Sequence, residues 1–205
     1  MKCQSLNSVW FKFFLLLTVT TGFARASGNW QRLHSRYLGL KSLAGSFIET
    51  IEPASGIGQE PTVFKGRFVF ELPHRFRLDV TEPMKQVIVG NDSVVWFYFP
   101  DEKRAVLVTS RQPVPLLAFL EPVLDTNATV IEEEGVILVR TEPGSFLSDL
   151  RLELDQTGTR IDAFSFIDEW GNHCRFVLFA QRWNPRLSAR TFRFVPPAGT
   201  AIEYQ

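Results

Sequence analysis

The sequence predicts a mainly β protein: a barrel or strongly curved sheet of about a dozen short strands, with two short helices over an open mouth or edge. Three observations predict it. From Phe47 onward the apolar residues recur at period two, the repeat of a strand. Short turns rich in Pro, Gly, Asn and Asp separate the runs, so neighbouring strands pair antiparallel. Phe supplies 19 of 205 residues, and in Lys65–Val80 the rings crowd onto one alternation.

A leader precedes the fold. Lys2 and Lys12 stand ahead of an apolar run from Phe13 to Val19, and Ala24-Arg25-Ala26 supplies an A-x-A cleavage site. Residues 1–26 therefore read as a secretory signal peptide cut before Ser27, with residues 27–205 as a single domain. The apolar run is short for a bilayer span, which leaves an uncleaved anchor as the alternative. Losing Lys2, Lys12 and Arg25 turns a balance of 22 bases and 22 acids mildly acidic. Such a surface gives no support for binding a phosphate backbone. Cys3 leaves with the leader, so Cys174 has no disulfide partner. It also lies too far from the cleavage site to be an N-terminal lipid attachment point. The expected product is a soluble exported protein. Cys174 shares a strand face with Phe176, Leu178 and Ala180, as a buried thiol does; a reactive thiol is the other reading.

The elements follow in order. Trp30, Leu33, Tyr37 and Leu40 form one helical stripe, with Asn29 placed to cap it and Gly45 just beyond its end. Strands are expected near 46–53, 62–71, 75–81, 86–90, 94–99 and 103–108. The turns between them are Leu72-Pro73-His74, Glu82-Pro83, Gly90-Asn91-Asp92-Ser93 and Pro100-Asp101-Glu102. In "PVPLLAFLEPV", Pro115 opens and Pro122 closes a short apolar helix. Strands resume near 128–133, 136–142, 148–155, 160–168, 173–182, 190–195 and 200–204. On the hairpin, Phe64, Phe68, Phe70, Phe76, Leu78 and Val80 take the concave side. Lys65, Arg67, Glu71, Arg77 and Asp79 take the solvent side. The run "VVWFYF" is apolar on both alternations and is expected to be covered on both faces. The rings either fill a core or line a ligand cavity, and their pattern does not separate the two.

Catalytic chemistry finds little purchase. His34 sits beside Ser35 on a helix, where neighbours diverge. His74 lies in a turn, and His173 and Cys174 point to opposite faces of a strand, so they cannot share a metal. There is no H-E-x-x-H, no G-x-S-x-G, no phosphate loop and no paired Cys motif. Glu132-Glu133-Glu134 reads as a solvated hairpin tip. Asp168 and Glu169 are a conceivable carboxylate pair, but Trp170-Gly171-Asn172 makes a turn there instead.

The stretches "SLAGSFIETIEPASG" and "FKGRFVFELPHRFRLDVTEPMKQVIVGNDSVVWFYFPDEKRAVLV" resemble the periplasmic lipoprotein carrier (LolA) family. Ser46-Phe47, Gly66, Phe68, Pro73, Phe76, Pro83, Trp96, Tyr98 and Pro100 stand where that family's pattern has them. "DEWGNHCRF" and "FRFVPPAGTAIE" are similar to its closing segments. Glu49 replaces the family's usual Gln, Asn91-Asp92 replaces Asp-Gly, and Leu78 stands where Trp is frequent. Leu72 occupies the position of the Arg that precedes the hairpin Pro and is thought to latch the lid; Arg75 lies two residues beyond Pro73.

The resemblance implies an unclosed antiparallel β-barrel of about eleven strands, covered by a helical lid around an apolar cavity. The cavity would be lined by Trp30, Leu33, Tyr37 and Leu40 of the first helix. Phe47, Phe64, Phe68, Phe70, Phe76, Leu78, Val80 and Trp96 would line it from the strands, and Leu116, Phe119 and Leu120 from the second helix. Leu72 and Arg75 are the latch candidates. The implied role is a periplasmic, non-enzymatic, monomeric carrier needing no cofactor or metal. It would take acylated lipoproteins from an inner-membrane ABC transporter to an outer-membrane receptor. Exposed acyl chains cost about 0.8 kcal/mol per methylene, so such cargo needs an apolar shelter. Other readings are a related lipid or glycolipid shuttle, an envelope lipid sensor, or a hydrolase of small apolar ligands.

Overall fold

A computed structural model describes residues 28–54, 60–91, 94–109, 116, 119–133, 135–140 and 148–205. The leader expected over residues 1–26, Pro115 and the last two residues of the 136–142 run lie outside these residues. The first helix, α1, spans Gly28–Leu38, and six strands follow. They are β1 Ser42–Glu52, β2 Thr62–Glu71, β3 Arg75–Glu82, β4 Gln86–Gly90, β5 Val95–Phe99 and β6 Arg104–Val108. Helix α2, Leu120–Leu124, precedes β7 Val130–Glu133, β8 Val136–Val139, β9 Ser148–Leu154, β10 Ile161–Ile167 and β11 His173–Trp183. A 3-10 turn, Ala189–Phe192, leads to β12, Ala201–Tyr204.

All twelve strands form one open sheet in the order β12-β6-β5-β4-β3-β2-β1-β11-β10-β9-β8-β7. Every neighbouring pair is antiparallel except β12 with β6, which is parallel. Within the described sheet the two halves, β1–β6 and β7–β11, are joined by the pairing of β1 with β11, Phe47 opposite Leu178 and Ile51 opposite Cys174. The sheet is strongly wrapped. Strands lie about 4.8 Å apart, so β5 and β8 would stand nearly 40 Å apart if the sheet were flat. Yet Val95 of β5 and Ile137 of β8 join one buried cluster with Leu33 and Tyr37 of α1.

Glycines inside the strands let the sheet wrap. Three of them face a phenylalanine as direct cross-strand partner: Gly45 faces Phe68, Gly66 faces Phe47, and Gly90 faces Phe76. Each ring lies across the space a Cβ would take. At Gly90 a Cβ would meet the Phe76 ring at 2.1 Å, and at Gly66 it would meet Phe47 at 2.8 Å and the Asp79 carbonyl at 2.5 Å. Aromatic rings over strand glycines cover the bare backbone and permit tight curvature.

Several expected details differ. Asn29 lies within α1, and its side chain donates to Glu132 on β7 rather than to the helix's own backbone. Gly39 ends α1, its N–H reaching the Arg36 carbonyl, while Gly45 sits in β1 at a register shift. β1 starts earlier than expected because Ser42, Leu43 and Ala44 are all buried, which hides the alternation. Pro122 does not close α2. It sits in the first turn, where a missing N–H leaves no bond unmade. Residues 190–195 do not form a strand; Ser188 caps the 3-10 turn there through its hydroxyl.

Gly90→Ala is expected to destabilise the protein by about 2–3 kcal/mol in urea unfolding, because the added methyl has only the Phe76 ring to displace. Adding Phe76→Leu to that variant is expected to recover part of the loss.

Candidate functional site

The concave face is the natural place to look. Phe47, Phe68, Phe70, Phe76, Leu78 and Val80 are all buried there in one cluster with Trp30, Leu33, Tyr37 and Leu40. Leu116, Phe119 and Leu120 belong to the same cluster, and Phe64 packs against it half-buried. β10 and β11 complete the wall: Phe119 meets Phe164 at a tilt with 4.4 Å between ring centres, and Phe164 stacks on Phe176 at 4.8 Å. Described side chains of α1 and α2 thus occupy the hollow of the sheet. Beside them, at β5 and β6, an open recess of about 400 Å³ is lined by Phe97, Phe99, Val106 and Val108 together with Arg104, Thr109 and Gln205. Phe97 also packs against the core cluster, so recess and core share a wall.

Specific polar contacts hold α1. The Tyr37 hydroxyl accepts from the Ile161 N–H at 3.3 Å, and its ring meets Trp183 edge-on at 4.8 Å. Burial, the main cause, raises the Tyr37 phenol well above its ordinary value, so it stays protonated. The Arg36 guanidinium lies 4.3 Å over the Trp183 ring and donates to Thr159. His34 Nδ1 is 3.0 Å from the Val123 carbonyl, tying α1 to α2. Asn29 reaches Glu132, and Asn184 accepts from the Lys41 and Ser42 N–H groups where α1 passes into β1. Glu132 is therefore not part of a solvated tip. One of its oxygens is buried without a partner among the described residues, and the other accepts from Asn29.

The two latch candidates separate. Leu72 packs against the core cluster. Arg75 stands on the opposite alternation and pairs with Glu71 at 2.9 Å. It lines an outer cleft of about 370 Å³ with Val89, Trp96, Phe192 and Phe194. Trp96 differs from expectation in the same way: its ring meets Phe194 at 5.4 Å on the outer face, and Tyr98 meets it at 5.2 Å. Val95 and Phe97 take the inner face, so β5 is covered on both sides. The covering segment was missed because Phe192 and Phe194, two apart, mimic a strand.

The remaining polar groups have plain structural uses. Asp168 accepts from the Trp170 and Asn172 N–H groups and shapes the β10–β11 turn, which leaves Glu169 exposed. His173 faces Glu52 at 3.7 Å, and His74 is exposed. Among the described residues no group of three or more His, Cys, Asp or Glu is placed to hold a metal. No described helix is long and apolar enough to cross a membrane. The Cys174 thiol is pushed up to about 12 by burial and by the Asp168 and Glu49 carboxyls, so it stays protonated and unreactive.

Glu49 is the exception that sequence reasoning passed over. The signal was its place between Phe47 and Ile51 on the inward alternation. It stands beside Phe64 and Phe176, and burial raises it from 4.5 to about 7. The folded chain therefore keeps this proton where the unfolded chain has released it. Its contribution to stability is full below about pH 4.5 and is lost as pH rises through about 7. Glu49→Gln is expected to stabilise the protein by about 2–3 kcal/mol at pH 8 and to change it little at pH 4.5, measured by urea unfolding.

Comparison with known proteins fits this architecture. Residues 39–195 match the family model described as outer membrane lipoprotein carrier protein LolA. An outer-membrane lipoprotein carrier protein of Xanthomonas campestris pv. campestris is 28% identical over 197 residues, covering 91% of each chain. One from Leptothrix cholodnii is 29% identical, covering 95% of each. An uncharacterized conserved protein from Thermus thermophilus shares the fold, with a TM-score of 0.51 at 12% identity over 86% of this chain and 97% of that one. A LolA superfamily protein from Nitrosomonas europaea superposes with a TM-score of 0.45 at 9% identity, over 81% and 96%. Given a match that spans most of the chain and includes the aromatic hollow, α2 and the hairpin of β2 and β3, this protein belongs to the LolA outer membrane lipoprotein carrier family.

Proposed function

We propose that this protein is a periplasmic carrier that shelters the acyl anchor of lipoproteins between the inner and outer membranes. Residues 1–26 direct export and are removed, and residues 27–205 act as one carrier domain. An inner-membrane ABC transporter loads it and an outer-membrane receptor unloads it. No catalytic step is needed. The observation that carries the reading is the aromatic hollow filled by two helices, with the open recess at Phe97 and Val106 beside them. In the empty carrier, α1 and α2 occupy the acyl space and hide surface that would otherwise aggregate. Cargo enters as they swing aside, and the chains replace their side chains against Phe47, Phe64, Phe68, Phe70 and Phe76. Closure is by packing: Leu72 adds apolar area where an Arg would latch. Depleting the protein in its host is the decisive test, with lipoproteins accumulating in the inner membrane as the expected result. Normal sorting would refute the reading.

Two substitutions test the geometry. Phe68→Glu is expected to lower binding of an acyl fluorescent probe far more than Arg67→Glu, since adjacent strand residues face opposite sides. Equal losses would refute the face assignment. Phe119→Ala is expected to raise probe uptake by the empty protein clearly, because losing a buried Phe costs about 3–5 kcal/mol, whereas Arg75→Ala leaves uptake nearly unchanged. Opening by Arg75→Ala alone would show a polar latch instead.

A further inference from the structure

Glu49 is a half-buried carboxyl set on the apolar inner face, and it has no hydrogen-bond or ion-pair partner among the described residues. β1 turns Phe47, Glu49 and Ile51 inward in succession, and the residues paired with Glu49 are Phe64 on one side and Phe176 on the other. Among the described residues its oxygens accept no hydrogen bond and join no ion pair. The titratable group nearest it is Cys174 on β11, a thiol that stays protonated and so brings no charge; Asp168, in the turn after β10, lies on the other side of that thiol. β2 brings no charge on that face. Lys65 and Arg175, on the strands either side, point outward and pair with Glu82 and Glu153. Glu52 on the same strand turns outward to His173. Glu49 is half-buried, and no cation among the described residues pairs with the carboxyl, which leaves it open to a hydrogen-bond donor from outside.

We propose that Glu49 is the polar contact of the acyl chamber, accepting a hydrogen bond from an N–H-bearing head group, an amine or amide, of the bound amphiphile. The inference rests on the acyl-carrier reading and adds a head-group preference to it. A carboxyl without a donor among the described residues gains one when such a ligand binds, and an N–H facing a carboxylate makes a charge-assisted bond. A ligand ending in a carboxylate meets repulsion at the same place. Because Glu49 ionises near neutrality, the preference strengthens as pH rises.

The test is calorimetric titration of the mature chain and of Glu49→Gln with decylamine, decanol and decanoate, at about pH 5.5 and about pH 8.5. The amine and the carboxylate keep their charges over that range. In the unsubstituted protein the affinity ratio of decylamine to decanoate is expected to rise about tenfold from the lower to the higher pH. In Glu49→Gln the ratio is expected to stay level, with decanol binding both proteins alike. A ratio that ignores pH, or shifts equally in Glu49→Gln, while decanol still binds, overturns the role of Glu49 and leaves the chamber standing. If decanol binds neither protein, the acyl-chamber reading itself fails, and this inference with it.

Discussion

An open sheet that carries a face of phenylalanines has to cover that face without closing on itself. In this fold the phenylalanine rings do part of the covering. Phe47, Phe68 and Phe76 each lie across a glycine of the neighbouring strand, and the missing side chains allow the backbone to bend over them. The sheet becomes a trough whose floor is aromatic on both halves. What remains is closed by helices, since a trough with β7 and β12 as separate edges has no other strand to offer among the described residues.

The helices are held unequally. α1 is fixed at its C-terminal end by Tyr37, Arg36 and the Asn184 junction, all meeting the ends of β10 and β11. At its other end the ties are His34 to α2 and Asn29 to β7. α2 is a five-residue helix whose Leu120 and Val123 are buried. Apolar packing dominates, and packing is non-directional. The outer face is treated in the opposite way. Phe192 and Phe194 cover Val89, Trp96 and Tyr98 from outside, stiffening the strands that form the recess wall.

Much of this was legible in the sequence, and the illegible parts share a cause. The positions of β2 and β3 followed from alternation, because there one face is apolar and the other charged, as Phe68 against Arg67 and Leu78 against Arg77 show. Where both faces are covered the alternation fades. β1 was read four residues short, and the Trp96 face was assigned inward when Phe194 had drawn it outward. Phe192 and Phe194 looked like a strand because period two says nothing about hydrogen-bond partners. The latch position was visible as Leu72, but the outward turn of Arg75 follows only from the β2–β3 register. Glu49 was visible as a substitution; its isolation became visible only with Phe64 and Phe176 on either side.

The pairing of β1 with β11 has a consequence for the order in which the chain is made. The first strand finds its second neighbour only after more than a hundred further residues, at Cys174–Trp183. Until then the N-terminal half is a partial sheet with β1 as a bare edge and the floor phenylalanines facing solvent. Contacts so distant in sequence form slowly, since a long loop has to close before they yield any free energy. β12 comes later still, sealing β6 with the last residues of the chain. A protein arranged this way does not complete its fold from the N-terminus as it emerges from the ribosome. Its sheet is complete only when β11 and β12 have joined β1 and β6.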